Sequence, residues 1–478
     1  MKLDDFLAIE KKYGLIEERL DGFAYWTYFR SDLEWELEVQ KNSYGEAHVQ
    51  PVLSFGEQLQ RIKNRMFYLL FFHKIPAGQH DVMILNHERR VLIEEHYECI
   101  YTERIAETFS NSIVLERPYF QKHFRPVKTR NLVYTDWITT KASVFYLWKK
   151  KFSAKEYARI RENIRAKIEK PITEICKVYD LTYNIDSILD KMVCGYYVYQ
   201  VKKKAFAKIL DKVQPKIILE VVGYNIDCMI VNELAAQRNI PTVELQHGTT
   251  GAEHIAYNYS ENVKVPQFAQ YFFAFSKFWT EAAKFPLQQE NLKAVGFPYM
   301  EHKAKVVQAK VTKEGKEKIL FISQGTIGKM LSGIAVALQH IMDCEKYEII
   351  YKLHPGEYAG WQERYMELAE SSIRVIDNNQ VDLYELFAAS TYQIGAYGST
   401  ATFEGLQFDL KTYVLREKAS AELQMLCEKG MAEYFNSAKE LYQMICDNSD
   451  KMEQKIKFWE DNALEVMKKE METIMNCH

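Results

Sequence analysis

Residues 215–248 read PKIILEVVGYNIDCMIVNELAAQRNIPTVELQHG. The run 216–222 follows a proline and is apolar apart from Lys216 and Glu220, the composition of a parallel strand covered on both faces. Residues 227–238 space their apolar side chains along one face of a helix. Asn239-Ile240-Pro241 ends that helix, because the residue before a proline is driven out of the α region. Residues 242–245 then form a second strand. Strand, helix and strand in this compass make a βαβ unit, whose right-handed crossover demands a parallel sheet. The fold class is α/β.

The pattern extends both ways. Upstream, 81–85 is a strand closed by the polar loop Asn86 to Arg90, 99–135 mixes short strands with loops, and helical text runs from about 154 to 210. The first 45 or so residues are helical and aromatic. Downstream, the strand 271–275 leads to a helix over 276–285. Strands at 319–322, 347–353, 373–376, 392–397 and 411–415 then alternate with helices after 328, at 383–389 and at 401–407. A chain of 478 residues exceeds a single core, since one hydrophobic core stops growing at about 250–300 residues. The expected division is an N-terminal helical extension (1–50), a first doubly wound domain (51–295), a second (296–418), and C-terminal helices (419–478) returning onto the first. Ligands bind doubly wound sheets outside the carboxyl ends of the strands, so two such domains are expected to face a cleft there.

Composition excludes several classes. With 62 Lys+Arg against 65 Asp+Glu the formal charge is −3, which removes the electrostatic footprint of a nucleic-acid binder. No apolar run approaches the roughly 18 residues of a bilayer span, and the opening MKLDDFLAIEKKYG has no signal-like core. The 8 cysteines include no C-x-x-C pair, as in a reduced, cytoplasmic protein without a zinc site. Aromatic residues reach 13% of the chain, so large cores or an apolar docking surface are both open.

Four strand-to-helix loops carry candidate chemistry. Gln246-His247-Gly248-Thr249-Thr250-Gly251 ends the second strand quoted above; a His there beside Gly and hydroxyl residues suits a general base. Glu253 and His254 follow as alternative bases on the acceptor side. Lys352-Leu353-His354-Pro355-Gly356-Glu357 ends another strand, and Pro355 fixes the backbone so that His354 can donate to a phosphate oxygen. In Gly398-Ser399-Thr400 the hydroxyl residues open a helix and offer donors to an anion, with Glu404 one turn on as a partner for ribose hydroxyls. Ser323-Gln324-Gly325-Thr326-Ile327-Gly328 is a Gly-containing loop without G-x-G-x-x-G or Walker spacing. Singly, each has a bland counterpart: a loop His, a turn, an ordinary N-cap. No D-x-D signature for a metal-bound diphosphate is present.

The order QHG, HP, then a Ser/Thr pair followed by Glu resembles the metal-independent GT-B glycosyltransferases of bacterial surface polysaccharide synthesis. The nearest groups are polysialyltransferases, capsule Kdo transferases and CDP-glycerol glycerophosphotransferases. The resemblance covers roughly residues 210–415. It implies a GT-B-like pair of Rossmann-type domains and an inverting transfer from a nucleotide-sugar, CMP-linked by preference, to a surface glycan or lipid-linked acceptor. His247 and His354 would be catalytic. Gln324, Gly325, Thr326, Lys352, Pro355, Ser399, Thr400 and Glu404 would hold the donor, with Gly248, Thr249, Glu253 and His254 on the acceptor side. No cofactor, metal or nucleic acid is expected. His247-Gly248-Thr249 also resembles the W-H-G-T motif of the glycerophosphotransferases, with Gln246 in place of Trp. An NDP-sugar 2-epimerase is a further alternative, although Gly398-Ser399-Thr400 stands where that family's Ser-Gly-Gly turn is expected. A non-catalytic GT-B-fold interaction protein is the last. A lipid-linked acceptor implies peripheral contact with the inner membrane face, through the aromatics Trp26, Tyr28, Phe29 and Trp35 or the Lys-rich tail 451–469. Ordinary packing is the plainer expectation for both.

Overall fold

The computed structural model describes residues 3–40, 55–71, 73–119, 122–181, 184–313, 315–417, 420, 423–447 and 456–477. The chain divides into two compact units. One runs through Tyr299 and resumes at Trp459; the other is Met300–Phe458.

The first unit is built on a seven-stranded sheet, β5-β4-β1-β6-β7-β8-β9. Its strands are β1 Val82–Leu85, β4 Ser112–Glu116, β5 Leu132–Tyr134, β6 Ile217–Val221, β7 Thr242–Leu245, β8 Tyr271–Ala274 and β9 Leu292–Ala294. Every pairing is parallel. A short antiparallel pair, β2 Val91–Ile93 and β3 His96–Glu98, lies outside it. Alternation along each strand divides the core. Met83, Leu85, Ile113, Leu115 and Ile218 face one helical layer, while Val82, Ile84, Val114, Ile217, Leu219 and Val243 face the other.

The helices Leu3–Tyr13 and Tyr25–Gln40 differ from the expected separate extension, because they belong to the first unit. Phe6, Trp26, Phe29 and Leu33 are buried in its core, so Trp26 and Phe29 do not face a membrane. Tyr28 stacks on Phe23 at 5.2 Å, and the Trp35 side chain lies outside the described residues. Between the two helices Arg30 and Glu10, 1% and 2% exposed, form an ion pair at 2.8 Å. Arg30 also donates to the carbonyl of Asn258 at 3.0 Å, and Trp26 Nε1 donates to Glu10 at 2.6 Å. A buried pair fully hydrogen-bonded in this way is costly to break from one side.

Three long helices, Asp136–Phe152, Ala154–Val178 and Ile185–Val213, follow β5; helix therefore begins earlier than the sequence suggests. The helix expected over 276–285 is a single turn, Lys277–Thr280. Beyond it the backbone is drawn out, with Lys284 N donating to Asn258 Oδ1 at 2.8 Å and Lys284 O accepting from Tyr259 N at 3.0 Å, and Pro286 disfavours helix at the residue before it.

The expected block of C-terminal helices is split. Only the segment from Trp459 joins the first unit, where helix Ala463–Cys477 buries Met467, Met471 and Ile474 on the second face of the sheet. This is the plainer reading of the Lys-rich tail, whose residues 451–455 lie outside the described residues. Gly296 permits the return: its φ is +86°, and a Cβ there would sit 2.5 Å from the Glu460 carbonyl oxygen and 2.6 Å from Ala463 Cβ.

The second unit carries the order β12-β11-β10-β13-β14-β15. Its strands are β10 Glu317–Ile322, β11 Tyr347–Lys352, β12 Arg374–Ile376, β13 Tyr392–Gly395, β14 Lys411–Leu415 and β15 Glu433–Phe435. All are parallel. Residues after 418 are therefore not wholly helical, and the sheet ends on β15 rather than β14. Ile319, Phe321, Ile349 and Ile394 pack against Leu331 and Leu338 of helix Gly328–Ile341 and Leu441 of helix Ala438–Asp447.

Candidate functional site

In the first sheet the chain moves outward in opposite directions from the neighbours β1 and β6, which opens a crevice at their carboxyl ends. His87 lies on the loop after β1, Tyr224 after β6, and His247 after β7 one strand further on. Val222, at φ +61°, closes β6 in the left-handed region, a conformation costing a β-branched residue about 1–3 kcal/mol. Gly223 follows because nothing larger fits: a Cβ would lie 2.3 Å from Glu244 Oε2 and 2.8 Å from Glu220 Oε1. Asn225 then caps helix Ile226–Ala236, accepting from Asp227 N at 2.9 Å and Cys228 N at 3.1 Å. Strain and cap together aim Tyr224 at the strand ends.

The His247 ring is set between two phenols. Tyr224 Oη is 3.4 Å from Nε2, and Tyr257 Oη is 3.5 Å from Nδ1. Tyr257 gives its own proton to Glu244 Oε1 at 2.8 Å, a carboxyl oxygen that also accepts Gly223 N at 2.9 Å. Tyr257 Oη can then only accept from the imidazole, which places the ring proton on Nδ1 and the lone pair on Nε2. The backbone is pinned as well, with Tyr101 donating to His247 O at 2.8 Å and Gln246 donating to Gly248 O at 2.8 Å.

Burial, reinforced by the neighbouring His87 and His254, pushes the His247 pKa down to about 3, so the ring is neutral at physiological pH. Burial lifts the Glu244 carboxyl to about 7. Glu220, opposite Glu244 in the β6–β7 register, is held well above the ordinary carboxylate range by burial and then by Glu244. The nearby loop after β4 supplies Arg117, paired with Glu88 at 2.9 Å.

His254 is brought to the same cluster, its ring 4.8 Å from Tyr257 and 5.6 Å from Tyr224, and burial lowers its pKa to about 4. Glu253 is exposed. Gly248 and Thr249 are partly buried beside His247, and the hydroxyl of Thr250 is buried with no hydrogen-bond partner among the described residues.

In the second sheet the reversal falls between β10 and β13. The loops after β11, β10 and β13 consequently rise from three adjacent strands and carry His354-Pro355, Gln324-Gly325-Thr326 and Ser399-Thr400 respectively. Glu357, 1% exposed, ties the first two loops: its Oε1 accepts from Ser323 at 3.0 Å and Tyr365 at 2.6 Å, and its Oε2 from His354 N at 2.8 Å. His354 is exposed, and its Nδ1 accepts from Gly356 N at 3.1 Å. A neutral ring so held carries its proton on Nε2, a donor suited to a phosphate oxygen.

The Thr326 hydroxyl is buried and has no hydrogen-bond partner among the described residues. Ser399 Oγ accepts from Ala401 N at 3.1 Å, the cap of helix Thr400–Gln407. Lys352 is turned into the loop, donating to Leu353 O at 2.9 Å, and burial lowers its pKa to about 8. Glu404 is lifted to about 7 by burial, with a hydrogen bond from Tyr384 acting against this. Among the described residues no group of three or more His, Cys, Asp or Glu is arranged to hold a metal ion, and no helix is long and apolar enough to cross a membrane.

His87, Tyr101, Arg117, Tyr224, Glu244 and Tyr257 were not singled out by the sequence. For Glu244 a signal existed: a carboxylate in the middle of the buried strand TVEL is the kind of residue that is almost never enclosed without a task or a partner. The others come together only through the sheet order.

Neither a known family nor a curated protein matches the sequence. Solved structures do match its fold. A putative UDP-N-acetylglucosamine 2-epimerase from Listeria monocytogenes aligns with TM-score 0.50 and 13% identity, over 83% of this chain and 98% of that one. MurG from Acinetobacter baumannii aligns at TM-score 0.42 and 9% identity, over 84% and 99%. The wall teichoic acid polymerase TagF aligns at TM-score 0.40 and 10% identity, over 94% and 92%. The likeness is one of fold: two parallel-stranded Rossmann-type units, as in GT-B-type enzymes.

Proposed function

We propose that the chain is a sugar-nucleotide-dependent enzyme, and specifically a glycosyltransferase that inverts the anomeric centre without a metal. The observation that carries this is the chain of contacts Glu244–Tyr257–His247, which leaves a neutral imidazole with its Nε2 lone pair at the carboxyl edge of the first sheet. A side chain in that state can take the proton of an acceptor hydroxyl. The oxygen then bonds to the anomeric carbon of the donor, and the bond from that carbon to the phosphate oxygen breaks. The electron pair leaves with the nucleotide phosphate; for such an anion the second unit by itself offers His354 Nε2–H, the hydroxyls of Thr326, Ser399 and Thr400, and the start of helix Thr400–Gln407. Glu404 is assigned to the ribose and Lys352 to holding the loop that carries His354. The acceptor is a surface glycan or a lipid-linked sugar, and the donor a CMP-sugar by its resemblance to the capsule enzymes. A second reading, glycerophosphate transfer from CDP-glycerol, uses the same residues on a phosphorus centre and is favoured by the likeness of His247-Gly248-Thr249 to the W-H-G-T motif.

A thermal-shift panel of CMP, CDP, UDP, GDP and their sugars tests the donor side, because a ligand of the folded state raises the midpoint by mass action. A response to CMP compounds supports the sialic or Kdo type of donor, and one to CDP-glycerol alone supports the phosphotransfer reading. Silence with every nucleotide would overturn both. His247→Ala should keep the thermal shift and lose turnover by about 100-fold or more.

A further inference from the structure

The helix Asp136–Phe152, DWITTKASVFYLWKKKF, is apolar on two sides. Its inner side buries Ile138 and Ala142 and packs Phe145 and Tyr146 on the first core. Its outer side shows Val144 and Leu147, each 61% exposed, with Trp148 at 50% and Phe152 at 64%. Steps of three and four residues put these four on one face. Helix Phe55–Leu70 packs alongside, and Leu59, Met66, Phe67 and Leu70, with Phe71 just beyond, are exposed there too. Single exposed apolar residues are ordinary, whereas a run of them on two adjoining helices marks an interaction surface.

The described charge beside the exposed face of Asp136–Phe152 is mainly basic. Lys149, Lys150 and Lys151 follow Trp148 directly, and Lys141 sits one turn before Val144. The one acid of that helix, Asp136, is buried against His123 at 2.8 Å. Lys149 pairs with Glu156 at 2.7 Å, and Lys63 and Lys74 are exposed on and just after the neighbouring helix. We propose that these two helices are a membrane-docking surface that lies in the interface of an anionic bilayer, with the apolar side chains in the acyl boundary and the lysines among the headgroups. An apolar face edged by lysine is the pattern of interfacial helices. A second copy of the chain is a poorer occupant, because a two-fold contact sets the same patch against itself and brings lysine against lysine. The inference is independent of the transfer reaction, and it places membrane contact on residues other than the buried N-terminal aromatics.

The test uses the full chain with vesicles of phosphatidylcholine alone or mixed with phosphatidylglycerol, read by flotation and by the blue shift of tryptophan emission. Binding to the mixed vesicles should be about tenfold or more the tighter, and should weaken as salt is raised. Leu147→Glu combined with Phe152→Glu, and separately Lys150→Glu combined with Lys151→Glu, should each reduce it about tenfold with the unfolding midpoint unchanged. Met366→Glu, an exposed apolar position in the second unit, should leave it intact. Failure to bind the mixed vesicles, or equal binding by the Leu147/Phe152 variant, overturns the proposal. So does a concentration-dependent dimer that the same variant abolishes.

Discussion

Replacing Glu244 with Gln should remove a pH-dependent weakness that the wild-type protein carries in its first sheet. The carboxyl is enclosed at 1% exposure and its pKa stands at about 7 against an ordinary 4.5. A folded-state pKa raised above the unfolded value means that the folded protein binds more protons between the two, so stability falls as pH rises through that window. A shift of that size corresponds to about 3 kcal/mol, fully felt by about pH 8 and absent below about pH 4. Gln keeps an oxygen for Gly223 N and Tyr257 Oη, so the clamp on His247 survives, and its amide can turn toward Glu220 Oε2, which is buried without a partner among the described residues. Urea unfolding of both proteins at several pH values is the assay. The curves should converge in acid and separate with rising pH, Glu244→Gln becoming the more stable by up to about 3 kcal/mol. A gap that does not vary with pH, or a wild type that gains on the variant as pH rises, would refute the reasoning.

Tyr257→Phe deprives His247 Nδ1–H of its acceptor and should lower kcat about 10- to 100-fold with KM for the donor little changed, measured in steady-state kinetics. Glu10→Ala leaves Arg30 enclosed and uncompensated and should cost about 3–5 kcal/mol, seen as a lower unfolding midpoint. Because Arg30 also holds the Asn258 carbonyl beside Tyr257, that variant should lose activity before it unfolds. Gly223→Ala drives a methyl into the Glu220/Glu244 carboxyls and should destabilise by about 1–3 kcal/mol, with turnover falling further than stability.

Much of the architecture was legible because parallel strands covered on both faces read as mainly apolar runs; β6 and β10 do, and β7 and β11 could be read despite Glu244 and Glu348 within them. The strand β15 did not, since Glu433-Tyr434-Phe435 is a three-residue edge with no run to recognise. Helix Asp136–Phe152 escaped for the opposite reason: apolar on both sides, it lacks the one-faced period that marks an amphipathic helix. Of the candidate residues, His247 and His354 could be found because each lies two residues past a strand, and Ser399 because it opens a helix. Tyr257 stands ten residues past His247, beyond a loop, and His87 precedes it by 160. Their meeting is a product of the strand order β1-β6-β7, which no local pattern encodes.

The return of residues from Trp459 onward to the first sheet sets a timetable for the newborn chain. All of Met300–Phe458 is made between the two parts of the first unit, which at about 5–20 residues per second takes on the order of 10–30 seconds. Throughout that interval Val82, Ile84, Ile217 and Leu219 await the cover that Met467, Met471 and Ile474 will give. The ribosome thus holds a sheet of which this face has only the partial cover of Ile105 and Phe109 while the second unit emerges and folds. That interval exposes the chain to aggregation and to capture by chaperones, and it closes once helix Ala463–Cys477 has left the exit tunnel.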